Sequence, residues 1–305
     1  MIIQTLNPIP ERPWVTLTTY IHEPDPMLPF PAPPRPAILI CPGGGYFMLS
    51  PTESDPIAME FAGAGYNTFV LRYSVASTAP DGAARYPAQL EEAAAAMALI
   101  CQNAAQWQTD SEHIAVMGFS AGAHLCAMLA THWHEPWLAS KLGVTPDQLR
   151  PMAAVLGYPV ISFAFQTERN KIQPNPVLQD CDRALLGDAP SRELLEEVSA
   201  ELCVSENTPP IFVCHAADDG LVPVEHSLLL GKAMAKAGRP FELHIFQQGD
   251  HGFALGGPME SPWDGTRAKA AAAWVGMAKT WLLKQYVPGA WEQPLPPMEG
   301  FFGQQ

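Results

Sequence analysis

HIAVMGFSAGAHLCAMLAT, His113–Thr131, runs from a β-branched apolar stretch through GFSAG (Gly118–Gly122) into a row of helix formers. GxSxG between a strand and a helix is the pattern of a nucleophile elbow. The sharp turn forces its central residue into strained backbone, and glycine on either side removes the Cβ atoms that would collide. Ser120 then stands exposed at the N-terminus of the following helix. A serine hydroxyl is a weak nucleophile until a base takes its proton, so this reading requires a histidine and an acid to orient it.

Outward from the elbow the same alternation repeats. AILIC (37–41), YNTFVLRY (66–73), MAAVLGY (152–158), PIFVCH (210–215) and FELHIF (241–246) have strand length. Their continuous apolarity predicts strands buried on both faces. Helical patterns lie between them, at 55–65, 86–104, 121–131 and 224–238, and close the chain at 265–286. The βαβα alternation predicts an α/β class with one open, mostly parallel sheet covered on both faces. WVTLTTYI (14–21) reads as an antiparallel edge strand. The expected organisation is an N-terminal strand and Pro-rich connection over 1–36, a catalytic domain over 37–286 and a Pro/Gly-rich tail over 287–305. Within the domain, 161–209 carries no convincing strand but two helical stretches, DRALLGD and SRELLEEVSA, and reads as an inserted, lid-like segment.

Composition narrows the function classes. The chain has 305 residues, 48% of them hydrophobic, as a globular protein does. A formal charge of −14 disfavours a phosphate backbone or an anionic bilayer as partner. MIIQTLNPIPERPW lacks a basic region followed by an apolar one, and no run long enough to span a bilayer occurs, which reads as a cytoplasmic protein. The six cysteines include no CxxC pair and are expected as thiols.

The base and the acid are sought beyond later strands. FELHIFQQGDHGFAL sets His251 just after a strand and between glycine-rich turns. PPIFVCHAADDGLVP sets two acids, Asp218 and Asp219, just after another. Of the nine histidines, His113 and His244 belong to strands, His124 to the helix after Ser120, and His215 to the support of the acid loop. His132 and His134, with His124 upstream, fit no zinc spacing. CPGGGYF, Cys41–Phe47, puts three glycines behind a strand, which serves either a phosphate cradle or an oxyanion hole. It lacks the GxGxxG spacing and the Lys-Ser/Thr pair of a phosphate loop, which favours the oxyanion hole. Tyr46 and Phe47 beside the glycines, and Tyr158 and Pro159 at a strand C-terminus, are candidates to line the acyl pocket.

CPGGGY, GFSAGAHL, HAADDGLVPVEHSLLL and GDHGF together resemble the α/β-hydrolase superfamily over Pro36–Tyr286, in particular its acetylxylan-esterase-like and prolyl-oligopeptidase-like esterases. The resemblance implies the α/β-hydrolase fold, a Ser120–Asp219–His251 triad, and hydrolysis of short acyl esters, often acetyl groups on sugars, with no cofactor or metal. Asp219 is chosen over Asp218 by the DxxVP pattern. Pro42 stands where the family's usual HGGG has histidine, and the implied oxyanion donors are the N–H groups of Gly44 or Gly45 together with Ala121. The implied partner is a small ester, acetylated oligosaccharides included. Competing readings are an amide or arylformamide hydrolase or small peptidase of the same fold and, in a different class, a non-catalytic binding protein on a hydrolase scaffold.

Overall fold

The computed structural model describes residues 1–24, 33–257 and 268–287. Its strands are β1 (Ile2–Leu6), β2 (Thr16–Ile21), β3 (Arg35–Cys41), β4 (Asn67–Arg72), β5 (Thr109–Phe119), β6 (Ala154–Gly157), β7 (Ile211–Ala216) and β8 (Phe241–Phe246). They form one eight-stranded sheet in the order β1-β2-β4-β3-β5-β6-β7-β8. β2 pairs antiparallel with β1 and β4, and every pair from β4 to β8 is parallel. The helices are α1 (Asp55–Ala62), α2 (Ala88–Asn103), α3 (Ala121–His132), α4 (Pro136–Leu142), α5 (Phe163–Ile172), α6 (Pro176–Leu186), α7 (Arg192–Glu197), α8 (Glu225–Lys236), α9 (Ala268–Ala271) and α10 (Trp274–Tyr286).

The two-residue period of the strands feeds two buried layers, one on each side of the sheet. Leu39, Leu71, Val116, Leu156 and Val213 pack with Leu90 of α2, Leu125 of α3 and Leu230 of α8. Their neighbours Ile38, Val70, Met117, Val155 and Phe212 turn the other way, against Ile57 and Phe61 of α1 and Trp274 and Trp281 of α10. This double cover explains why the central strands read as apolar throughout, and it fixes the C-terminal ends of β5, β7 and β8 along one edge.

Four expectations need correction. The strand within 14–21 is antiparallel but not at the edge, because β1 pairs outside it from Ile2↔Ile21 to Leu6↔Leu17; β1 is largely exposed, so no apolar alternation marks it. FELHIF is not buried on both faces: β8 ends the sheet, its residues are half-buried or exposed, and Glu242 pairs there with Lys284 at 3.8 Å. Residues 161–209 hold a further helix, α5, started by Ser162, whose Oγ accepts the Phe165 N–H at 3.1 Å. The closing pattern is two helices, α9 and α10, broken at 272–273. Most of the Pro-rich connection (25–32) and of the tail (288–305) lies outside the described residues. All six cysteines are free thiols, with Cys41, Cys126 and Cys214 buried. Among the described residues, no helix is long and apolar enough to cross a membrane.

Candidate active site

Ser120 lies between β5 and α3 with φ 52° and ψ −119°, outside the regions that non-glycine residues favour. The elbow's glycines are forced by contact. A Cβ on Gly118 would stand 2.2 Å from the Gly122 carbonyl oxygen, and one on Gly122 would stand 2.1 Å from that of Cys41. The Ser120 N–H donates to Gly157 O at 2.9 Å, which ties the turn to the end of β6. Its Oγ lies 3.0 Å from His251 Nε2, and His251 Nδ1 lies 2.8 Å from Asp219 Oδ2. Serine, imidazole and carboxylate thus touch in series, from the loops that follow β5, β8 and β7.

Asp219 is held by donors on both oxygens. Oδ1 accepts the N–H groups of Leu221 (2.9 Å) and Val222 (2.8 Å), while Oδ2 accepts from His251 and from His215 Nε2 at 3.1 Å. Burial alone opposes its ionisation, but the hydrogen bonds from His215 and His251 outweigh it and hold the carboxyl well below the usual aspartate range. His215 has its tautomer set on the far side, where Nδ1 accepts the Ser227 hydroxyl at 2.7 Å. Asp218 is used differently: its Oδ1 accepts the N–H groups of Gly249 (2.9 Å) and Asp250 (3.0 Å) and so braces the loop that carries His251. Geometry therefore separates the two adjacent acids.

The glycine turn after β3 is closed by Phe47 and Met48 N–H groups donating to Gly44 O at 3.1 and 3.0 Å. Gly44 sits at φ 125°, where an added Cβ would meet the Met48 carbonyl oxygen at 2.1 Å, so no other residue fits. The Gly43 N–H is already taken, donated to Glu53 Oε2 at 2.8 Å. Among the described residues neither Gly44 nor Gly45 donates its N–H to a backbone acceptor, and the N–H of Ala121, the first residue of α3, has none within the helix. The turn is pinned from the other side by Tyr46, whose hydroxyl donates to His124 Nδ1 at 2.6 Å, while His124 Nε2 donates to Val198 O at 2.7 Å. Burial lowers His124 to about 4, so this link is a neutral imidazole.

A cavity of about 790 Å³ opens over Ser120 and His251. One wall is the glycine turn with Tyr46 and Phe47; the facing wall is the inserted segment, through Phe163 and Gln166 of α5 and Leu178 and Asp182 of α6. The other two pocket candidates, Tyr158 and Pro159, are absent from the lining, which takes Val160 instead. Tyr158, at φ 36°, turns its ring into the core behind His251, with ring centroids 5.0 Å apart. Three residues of the site carried no sequence signal. Glu53 looks like any acid ahead of a helix, and Gln166 and Asp182 look like the polar face of surface helices. Gln166 is 2% exposed and its Nε2 donates to Asp182 Oδ1; burial pushes the Asp182 carboxyl up to about 7. No group of three His, Cys, Asp or Glu side chains among the described residues is placed to hold a metal ion.

An open, mostly parallel sheet with an elbow serine, a carboxylate and an imidazole beyond the C-terminal ends of β5, β7 and β8 defines an α/β hydrolase. Residues 29–234 match the family model described as BD-FAE, and 198–287 match that of the dienelactone hydrolase family. The chain belongs to the BD-FAE family, among the α/β-hydrolase esterases. It is 35% identical to endo-1,4-beta-xylanase B of Butyrivibrio fibrisolvens over 72% of its own length and 33% of that protein's. It is 30% identical to an acetylxylan esterase of Xylanibacter ruminicola over 72% of this chain and 41% of that one, so it spans well under half the length of these curated relatives. Among solved structures it resembles an acetyl ester-xyloside bifunctional hydrolase of Caldicellulosiruptor lactoaceticus, at 33% identity and TM-score 0.72 over 90% of each chain.

Proposed function

We propose that the protein is a serine carboxylesterase that hydrolyses short acyl esters, acetyl esters of sugars or xylan fragments foremost. The observation that carries this reading is the unbroken hydrogen-bond series Ser120–His251–Asp219 beside the glycine turn. Ser120 Oγ attacks the ester carbonyl carbon while His251 Nε2 accepts its proton. Asp219 keeps the other imidazole proton on Nδ1 and stabilises the imidazolium. The N–H groups of Gly44, Gly45 and Ala121 receive the charge that builds on the carbonyl oxygen, each worth about 10²–10³ in rate. Collapse of this intermediate breaks the ester C–O bond, His251 protonates the departing alcohol, and the acyl group stays on Ser120. Water, deprotonated by the same imidazole, then releases the acid.

Two observations support a hydroxylated alcohol. The named relatives include an acetylxylan esterase and an acetyl ester-xyloside hydrolase. The cavity is larger than an acetyl group needs, and its outer wall carries the Gln166–Asp182 pair among apolar side chains, where a sugar hydroxyl finds polar partners. Purified wild-type and Ser120→Ala proteins, assayed on 4-nitrophenyl acetate and on acetylated xylo-oligosaccharides, test the reading. Hydrolysis of both by wild type and of neither by the variant is expected. Undiminished hydrolysis by the variant refutes the mechanism, and failure of wild type on the oligosaccharides alone refutes the substrate class.

A further inference from the structure

Glu53 belongs to no part of the triad, yet the residue is only 4% exposed and its carboxyl lies between the glycine turn and Tyr158. Oε2 accepts the Gly43 N–H at 2.8 Å, and Oε1 accepts the Tyr158 hydroxyl at 2.7 Å. The Tyr158 oxygen itself accepts the Ala254 N–H at 3.2 Å, so its single proton is committed to Glu53. Both contacts of Glu53 are therefore made as an acceptor, which suits the carboxylate form. Burial raises the group above the usual carboxylate range, against the opposing hydrogen bond from Tyr158. A Cβ on Gly43 would stand 2.6 Å from Glu53 Oε2 and 2.9 Å from the Ser120 Cβ, so carboxylate and nucleophile crowd the same face of one glycine. On the other side, the Tyr158 ring meets the His251 imidazole edge-on, at 5.0 Å and 69°.

We propose that Glu53 is a positioning residue that locks the oxyanion turn to the histidine loop through Tyr158, so that the oxyanion donors and His251 Nε2 keep one geometry about Ser120. The proposal rests on the esterase reading and adds a part to it. By occupying the Gly43 N–H, the carboxylate leaves the next two amides of the turn to face the substrate. By holding the Tyr158 hydroxyl, it fixes the ring that backs His251 and, through Ala254, the loop beyond it. Among the described residues, neither 43–45 nor 251–254 belongs to a strand. The buried Glu53 carboxyl takes one donor from the glycine turn and one from Tyr158, whose oxygen in turn accepts the Ala254 N–H of the histidine loop, and an error of about 1 Å between donors and base costs on the order of 10²-fold in rate.

The test is the set wild type, Glu53→Gln, Tyr158→Phe and the double variant, with kcat and KM measured on 4-nitrophenyl acetate. Each single change is expected to lower kcat about tenfold and to leave KM within about twofold, because the geometry matters in the transition state more than in binding. The double variant should lose little more than the worse single one, since both break the same bridge. Additive losses, or full kcat in either folded single variant, overturn the proposal. If Glu53→Gln does not fold, Tyr158→Phe alone decides by the same kcat criterion. Backbone amide spectra read the bridge without any substrate. In either variant the Gly43 and Ala254 resonances should move together, and movement of one without the other overturns the coupling. A wild type that hydrolyses no ester fails the esterase reading, and the amide spectra then decide the bridge separately.

Discussion

Asp219 and Asp182 are two carboxylates near one cavity, held in opposite ways. Asp219, at the end of β7, receives two backbone N–H groups and two imidazole donors and sits far below its ordinary range. Asp182, on an inserted helix, has one amide partner in Gln166 and rises to about 7. The loop after a strand end turns its own N–H groups inward, so it can hold a full charge away from water. A side chain in mid-helix has no free backbone donor within reach and must rely on another side chain. The fully bonded charge therefore sits at a strand end, and the sparsely bonded carboxyl on α6.

This contrast can be broken at several points, with effects of decreasing size. Asp219→Asn should lower kcat about 10⁴-fold by setting the wrong imidazole tautomer, whereas Asp218→Asn, which only weakens the brace on 249–250, should cost about tenfold. Equal losses from the two, in steady-state kinetics, would dissolve the distinction drawn between them. Gly44→Ala should cost about 10²–10³ in kcat, because the new Cβ cannot stand 2.1 Å from Met48 O and the turn must shift; a folded variant with wild-type kcat would remove the turn from the mechanism. Asp182→Asn should lower the ratio of kcat/KM on acetylated xylo-oligosaccharide to that on 4-nitrophenyl acetate about tenfold. An unchanged ratio would take the inserted wall out of substrate choice.

The two carboxylates also predict opposite pH responses. The folded-state value of Asp219 is depressed, so its contribution to stability is present above its ordinary value of 3.8 and is lost as pH falls below it. The folded-state value of Asp182 is raised from 3.8 to about 7, so its contribution is present below 3.8 and is lost as pH rises towards 7. Asp182→Asn should accordingly raise Tm at pH 8, by a stabilisation of up to a few kcal/mol, with the gain shrinking as pH falls towards 4. A gain that is the same at both pH values would contradict the raised carboxyl.

The legible part of the molecule was the part whose residues are forced by contact or by backbone. GFSAG admits nothing bulkier at Gly118 and Gly122, because carbonyl oxygens stand about where their Cβ atoms would be, and such constraints survive in one sequence as glycines at fixed spacing. The parallel strands were readable because both faces are buried. β1 was missed, so that β2 was taken for the edge, and β8 was misjudged, because an edge strand has one neighbour and no such uniform environment. Asp219 stood apart from Asp218 only by a family pattern, since the difference lies in which loop each reaches. Glu53, Gln166 and Asp182 were invisible for a related reason: their burial is created by elements distant in the chain, so nothing local marks them.

Ser120 as the nucleophile is the claim on which every other role in the site depends. Stoichiometric labelling with a fluorophosphonate, followed by peptide mass spectrometry and assay of residual 4-nitrophenyl acetate turnover, measures it. One adduct per chain on Ser120, with activity falling in proportion and no adduct in Ser120→Ala, is the predicted result. Turnover that persists in fully labelled protein, or an adduct on another residue that abolishes it, would contradict the account.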